Sequence, residues 1–377
     1  MRRRLTGLIR KEFAQIWRDR ALVFILIWAF TASIYTSGRG RAMEVTNVAT
    51  VVYDLSKSPA SREFLSHVQA PYFKIVAYLD RDRDIAKWLD SGNASIVIVI
   101  PPDFQRKVDG TGQAEIQVIT DGALAMPATI AVAYIAEISS NYSISVLEQR
   151  AGAAGLSLSQ LPGVDERVRV EFNPNMLSTW FSSLLELFNM FTMVSLLLTA
   201  ADLVREKEHG TLEQLMVSPA RSIEIFLAKI IPTVIVVLGL SVLSFRLVLV
   251  PVFHVPIRGS LALFYAVAAL YVFAMTSMGI AIAVVAKNLA QAMMIMLLIL
   301  QPMVFLSGAW NPPEAMSPWM RWLSLISPLR YFIDFGYGVV LKGNGVRLVA
   351  WDIVGIVVLG AGLFWFSVWR FERSLAR

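Results

Sequence analysis

The sequence predicts an α-helical integral membrane protein with six transmembrane helices and an α/β domain inserted between the first two. Three observations predict it. Of 377 residues, 56% are hydrophobic and only 16% charged, whereas a soluble domain carries about a quarter charged residues. Six apolar runs approach the roughly 20 residues that a bilayer core demands. Residues 38–178 interrupt them with short β-rich runs alternating with polar helical ones.

The first twenty residues are basic, with Arg2, Arg3, Arg4, Arg10, Lys11, Arg18 and Arg20. Leu5, Leu8, Ile9, Phe13, Ile16 and Trp17 recur among them at spacings of three and four. This is an amphipathic helix suited to an anionic headgroup layer. The apolar run that follows gives a first span at 21–37. It has no small-x-small cleavage pattern after it, so an uncleaved anchor is expected rather than a signal peptide.

In the inserted domain, strands are expected at 45–53, 73–79, 95–100, 115–120 and 167–172. Helices are expected at 58–68, 83–90, 102–108 and 128–150. Pro101-Pro102 after Ile100 marks a strand running into a helix with proline in its first turn. Alternation at this period suggests a mixed sheet. The later spans are placed at 180–203, 224–250, 261–286, 289–309 and 348–369. Residues 310–347, with Trp310, Trp319, Trp322, Pro318 and Pro328, suit short interfacial or re-entrant helices.

Basic residues orient the chain. The N-terminus, Arg205, Lys207, Arg221 and Lys229, Lys287, and the tail with Arg370, Arg373 and Arg377 fall on one side of an even number of spans. That side is expected to be the cytoplasm, with both termini on it. The inserted domain and 310–347 then face outward, although Arg258, Arg321, Arg330, Lys342 and Arg347 weaken the bias.

Several chemistries find no support. There is no cysteine, and His67, His209 and His254 are scattered, so no disulfide framework or metal site is expected. Gly-x-x-x-x-Gly-Lys-Ser/Thr is missing, as are Gly-x-Ser-x-Gly and His-Glu-x-x-His. The chain is therefore expected to have no catalytic residues and no cofactor of its own. Asp80, Arg81, Asp82, Arg83 and Asp84 form a charge cluster that reads as a solvated loop and helix start. No nucleic-acid partner is expected.

The most informative stretch runs from Arg205 to Pro219. Gly210 breaks it and Pro219 stops it. Leu212, Leu215 and Met216 share one helical face, with Glu213 and Gln214 turned away. In register, Arg205, Glu206, Glu208, Gly210, Thr211, Glu213, Leu215 and Pro219 match an Arg-Glu-x-Glu-x-Gly-Thr-x-Glu-x-Leu-x-x-x-Pro run. That run resembles the signature that follows the second span in permeases of type-2 ATP-binding-cassette (ABC) exporters. The likeness extends over essentially the whole chain. It includes a Phe172-Asn173-Pro174 turn, Lys229 entering the third span and a fifth span ending near Ser307-Gly308.

The resemblance implies a permease that works with a separate ATPase subunit, which carries the ATP and magnesium. It implies a second permease copy or a paralogue, and an inner-membrane location in a bacterium. It also implies that 205–219 docks on the ATPase and that the N-terminal helix is a connecting helix touching it too. A periplasmic membrane-fusion adaptor could meet the outer domain. The cargo would be drug-like, lipid-like or otherwise small and hydrophobic. A membrane-anchored ligand sensor or scaffold is the alternative. An ion-driven carrier would need buried acids in several spans.

Inside the spans, Glu186 and Asn189 put a polar stripe on one face of the second helix and are candidates for the translocation path. A local pairing of Glu186 is the competing reading. Asp202 and Arg205 are expected to pair at the inner end. Gly279, with Thr276 and Ser277, is expected to let helices pack closely.

Overall fold

The computed structural model describes residues 2–40, 47–110, 113–120, 125–153, 177–210, 222–308 and 316–375. It falls into two compact units, Met1–Ala42 with Val170–Arg377, and Met43–Arg169.

The first unit is helical. Helix α1 (Arg2–Arg18) is followed by α2 (Arg20–Phe30) and α3 (Ala32–Gly40). Asp19 caps α2 by accepting from the Leu22 amide at 3.0 Å. Within the second unit come β1 (Val48–Asp54), α4 (Pro59–Ser66), β2 (Phe73–Tyr78) and α5 (Asp84–Asp90). They are followed by β3 (Ile96–Ile100), α6 (Phe104–Asp109), β4 (Gln117–Thr120) and α7 (Ala125–Ala153). The chain returns to the first unit with α8 (Ser178–Glu208) and α9 (Ser222–Ser244), which passes into a π turn at Phe245–Leu249. It ends with α10 (Leu261–Val285), α11 (Leu289–Phe305), α12 (Pro318–Ser324), α13 (Pro328–Val340) and α14 (Ala350–Leu375).

Among the described residues, six helical segments are long and apolar enough to cross a membrane. They are Arg20–Gly40, Ile130–Gly152, Ser178–Glu208, Ser222–Leu249, Leu261–Val285 and Ala350–Arg373. Five coincide with expected spans. The sixth, within α7, belongs to the inserted unit, where Ala131, Ile135 and Tyr142 are buried with strand residues in one core. The expected fifth span is α11. It ends at Phe305 and its 17 residues reach only about 25 Å.

Aromatic rings fill the core of the helical unit. Tyr271 of α10 stacks on Phe332 of α13 with centroids 4.0 Å apart. Its hydroxyl shares a 2.6 Å hydrogen bond with Thr192 of α8. Phe188 and Phe191 of α8 meet Phe332 edge-on. Helices α8 and α10 approach closely at Gly279, where a Cβ would lie 2.9 Å from the Leu196 carbonyl oxygen. This is the close packing that a small residue there allows.

The inserted unit holds a mixed sheet of order β2-β1-β3-β4. The first three strands are parallel and β4 runs antiparallel to β3. The Ile-Val-Ile-Val-Ile run of β3 explains its central place. Ile96, Ile98 and Ile100 join Phe64, Phe104 and Tyr142 on one face, and Val97 joins Ile85 on the other. A strand covered on both faces reads as continuously apolar. The strand expected at 167–172 lies outside the described residues.

Candidate functional site

The site grows from a lysine in an apolar helix. Lys229 lies two turns into α9, whose mean composition is strongly apolar, and is only 4% exposed. An ammonium taken out of water costs several kcal/mol unless carboxylates compensate it. Three do. Lys229 Nζ contacts Asp202 of α8, Glu206 of α8 at 2.8 Å and Glu12 of α1 at 3.2 Å.

The sequence brings these groups together for simple reasons. Asp202 and Glu206 are four apart on α8, hence on one face. Glu12 is the one acid of the basic helix α1, and α1 packs along α9. Lys11 then pairs with Glu206 at 2.5 Å and lies 3.6 Å from Glu12. Gln15 donates to Asp202 at 2.6 Å. Residues from α1, α8 and α9 thus share one buried network.

Carboxylate oxygens of Glu12, Asp202 and Glu206 lie within 4.8 Å of one another, a spacing that could hold a metal ion. The Lys229 ammonium stands among them instead. Among the described residues, the ammonium groups of Lys229 and Lys11 pair with these three acids. Burial pushes the Glu12 carboxyl up from 4.5 to about 7; Lys229 pulls it back, while Asp202 and Glu206 add to the rise. Burial works against the charge on Lys11, but its bond to Glu206 and the attraction of Glu206 and Glu12 raise it.

Of the expected coupling residues, four lie at the described end of α8. Glu206 is 5% exposed, with its carboxylate turned into the network. Glu208 accepts from the Leu289 amide at 2.9 Å, at the first turn of α11, where a negative charge suits a helix N-terminus. Arg205 is exposed. Gly210 has φ +70, a left-handed conformation that ends α8 two residues after Glu208. Thr211, Glu213, Leu215 and Pro219 lie outside the described residues.

Asp202 has Lys229 and Gln15 as partners, and no ion pair joins it to Arg205 among the described residues. Its partners explain this correction. The Asp202 carboxylate is taken up by Lys229 and Gln15, while Arg205 stays exposed at the rim of the cavity they border. Glu186 is buried and accepts from Ser33 at 3.0 Å and Ser37 at 3.3 Å, both on α3. Asn189 Oδ1 is buried without a hydrogen-bond partner.

Two residues escaped sequence reasoning. Lys207 donates to the Ala286 carbonyl at 2.9 Å, tying the end of α8 to the end of α10. Glu12 was hidden in a helix read for its lipid-facing pattern. A lone acid among basic residues, and a lone lysine in an apolar span, were the signals that could have paired them.

Beside the network lies a cavity of about 300 Å³, lined by Glu12, Asp202 and Lys229 and by apolar residues such as Leu22, Leu197 and Met293.

The comparisons with known proteins agree with this architecture. A family described as "ABC-2 family transporter protein" matches residues 21–369. The chain is 30% identical over 365 residues to "Inner membrane transport permease YhhJ" of Escherichia coli (strain K12), covering 97% of this chain and 96% of that protein. It is 30% identical over 367 residues to "Probable multidrug ABC transporter permease YbhR" of the same organism, at 95% of each. To "Probable multidrug ABC transporter permease YbhS" it is 27% identical over 374 residues, covering 98% and 97%. A match along nearly the whole length, on a bundle of this kind, identifies the chain as a member of the ABC-2 transporter family.

Proposed function

We propose that this chain is the permease subunit of an ABC exporter in a bacterial inner membrane. It moves small hydrophobic molecules, driven by ATP hydrolysis on a separate ATPase subunit. Both termini and residues 205–219 face the cytoplasm in this reading, and the inserted domain lies outside, open to a membrane-fusion adaptor. A second permease copy or a paralogue completes the pathway.

The observation that carries the reading is the buried network joining α1 to α8 and α9. A helix lying along the bundle and bonded to two spans is a rigid arm. When the ATPases close on ATP, a push on α1 and on the end of α8 reaches two spans together. Such a push biases a bundle with two arrangements toward one of them. Glu208 and Lys207 extend the link to α10 and α11.

The test is ATPase activity of the chain co-expressed with its candidate ATPase in lipid nanodiscs. Wild type is compared with Glu213→Ala and Gly210→Pro. A stable complex whose turnover changes in the variants supports the reading. If no ATPase co-purifies and the variants change nothing, it fails.

A further inference from the structure

Lys207 and Glu208 are consecutive residues at the end of α8, and they hold one turn from both sides. The turn is Ala286–Asn288, between α10 and α11. Lys207 Nζ reaches the last carbonyls of α10, donating to Ala286 at 2.9 Å and to Val284 at 3.4 Å. Glu208 accepts from the Leu289 amide, the first N–H of α11, at 2.9 Å. Each charge sits at the helix end whose dipole favours it, a cation on a C-terminus and a carboxylate on an N-terminus. Both bonds end on backbone, so they depend on where the turn lies and not on which side chains it carries.

The turn has its own bonds and does not need these two to form. The Ala286 amide donates to Ile282 of α10 at 2.9 Å. Asn288 caps α11 by accepting from the Gln291 amide at 2.8 Å, and the Gln291 side chain accepts from the Lys287 amide at 2.8 Å. What the two added bonds decide is therefore the position of the turn. Helix α11 has a reason to need that. The buried residues among its 17 are Ala292, Met296 and Met303, a stripe within about 40° of arc. Met294, Leu297 and Leu298 are exposed. Apolar contact along so narrow a stripe is non-directional and permits sliding and tilting. Directional bonds at the inner end of α11 remove that freedom.

We propose that Lys207 and Glu208 are positioning residues that lock the inner end of α11 to α8, so that α11 follows the end of α8 as one body. Consecutive residues on a helix point about 100° apart, which is why two neighbours can straddle one short turn. A rotation of α8 by one residue would break both bonds together. That an ATPase moves the end of α8 rests on the transporter function proposed above; that α11 is locked to α8 does not.

The test is a distance measurement on the full chain in nanodiscs without any ATPase. The chain has no cysteine, so Ala290→Cys on α11 and Arg370→Cys on α14, both exposed, take spin labels at those two sites alone. Helix α14 packs on α10, and α10 on α8, so the pair reports slippage of α11 against that body. Pulsed electron resonance should give a single distance for the wild-type background. Each bond withdrawn should raise the slipped population about tenfold, so Lys207→Ala with Glu208→Ala should add a second distance. Lys207→Glu with Glu208→Lys keeps the composition but sets each charge at the wrong helix end, and should slip at least as much. Lys207→Arg should match the wild type. Unfolding in SDS should shift little in these variants of exposed residues, which separates a positioning role from a stabilising one. If the double alanine variant does not fold, Glu208→Ala alone decides by the same criterion. An unchanged distance in the alanine variant overturns the proposal. So does an exchange variant that behaves as wild type, or a second distance that appears only with a matching loss of stability. A locked α11 with no ATPase partner would sink the transport reading and leave the lock standing.

Discussion

Replacing Lys229 by methionine removes the ammonium and keeps the length of the side chain. Among the described residues, Lys11 is then the ammonium left to the three carboxylates, and it is the more exposed of the two cations. Asp202 and Glu206 lose their Lys229 contacts and Glu12 loses its 3.2 Å partner. Breaking a buried pair by removing one member costs about 3–5 kcal/mol, since the charge left behind is uncompensated. We therefore expect Lys229→Met to lose about that much stability. The assay is unfolding by SDS in mixed micelles, followed by the fluorescence of the ten tryptophans. The charge count makes a second demand. Adding Asp202→Asn and Glu206→Gln to Lys229→Met leaves Glu12 and Lys11 as a neutral pair 3.6 Å apart, so the triple variant should regain most of the loss. A single variant within about 1 kcal/mol of wild type, near the range of surface substitutions, would refute the reasoning. So would a triple variant no better than the single one.

Further outcomes follow from the same contacts. The folded protein holds the Glu12 proton up to about pH 7, above the ordinary 4.5, so this contribution to stability is full below about pH 4.5 and is lost as pH rises through 7. Glu12→Gln should remove that part of the slope between pH 4.5 and 8.5 in the same unfolding assay. Gly279→Val places a Cβ 2.9 Å from the Leu196 carbonyl oxygen and should cost about 1–3 kcal/mol; an unchanged melting temperature would show that α8 and α10 do not meet there. Ser33→Ala with Ser37→Ala withdraws two donors from buried Glu186 and should cost about 2–4 kcal/mol, read by unfolding of the double variant.

Much of the fold was legible because hydropathy is local. A run of 20 apolar residues needs no partner to declare itself, and β3 declares two covered faces within five residues. Gly210 and Gly279 were likewise readable, since a left-handed turn and a close helix contact each favour the residue without a Cβ. Helix α7 shows the limit from the other side. It is apolar enough to pass for a span, and only its setting among β-strands in the sequence marked it as a domain helix. The site was less legible. Lys229 and Glu12 lie 217 residues apart, and no local pattern states which acid neutralises a buried lysine. The amphipathic pattern of α1 also pointed to lipid, although its Glu12 side is buried against protein.

That burial bears on why the link between α1 and the spans is ionic at all. An apolar seam between α1 and α9 could be as stable, since replacing a buried ion network by well-packed apolar residues is often neutral or favourable. Apolar faces, however, tolerate sliding, because contact energy is non-directional. Here Lys229 must meet Glu12, Asp202 and Glu206 together, while Gln15 and Lys11 hold the outer oxygens. A shift of one residue along α1 carries Glu12 about 100° around the helix and strands it away from Lys229. The network therefore admits one register of α1 on α8 and α9, and a displacement of α1 is passed to both spans instead of being absorbed at the seam.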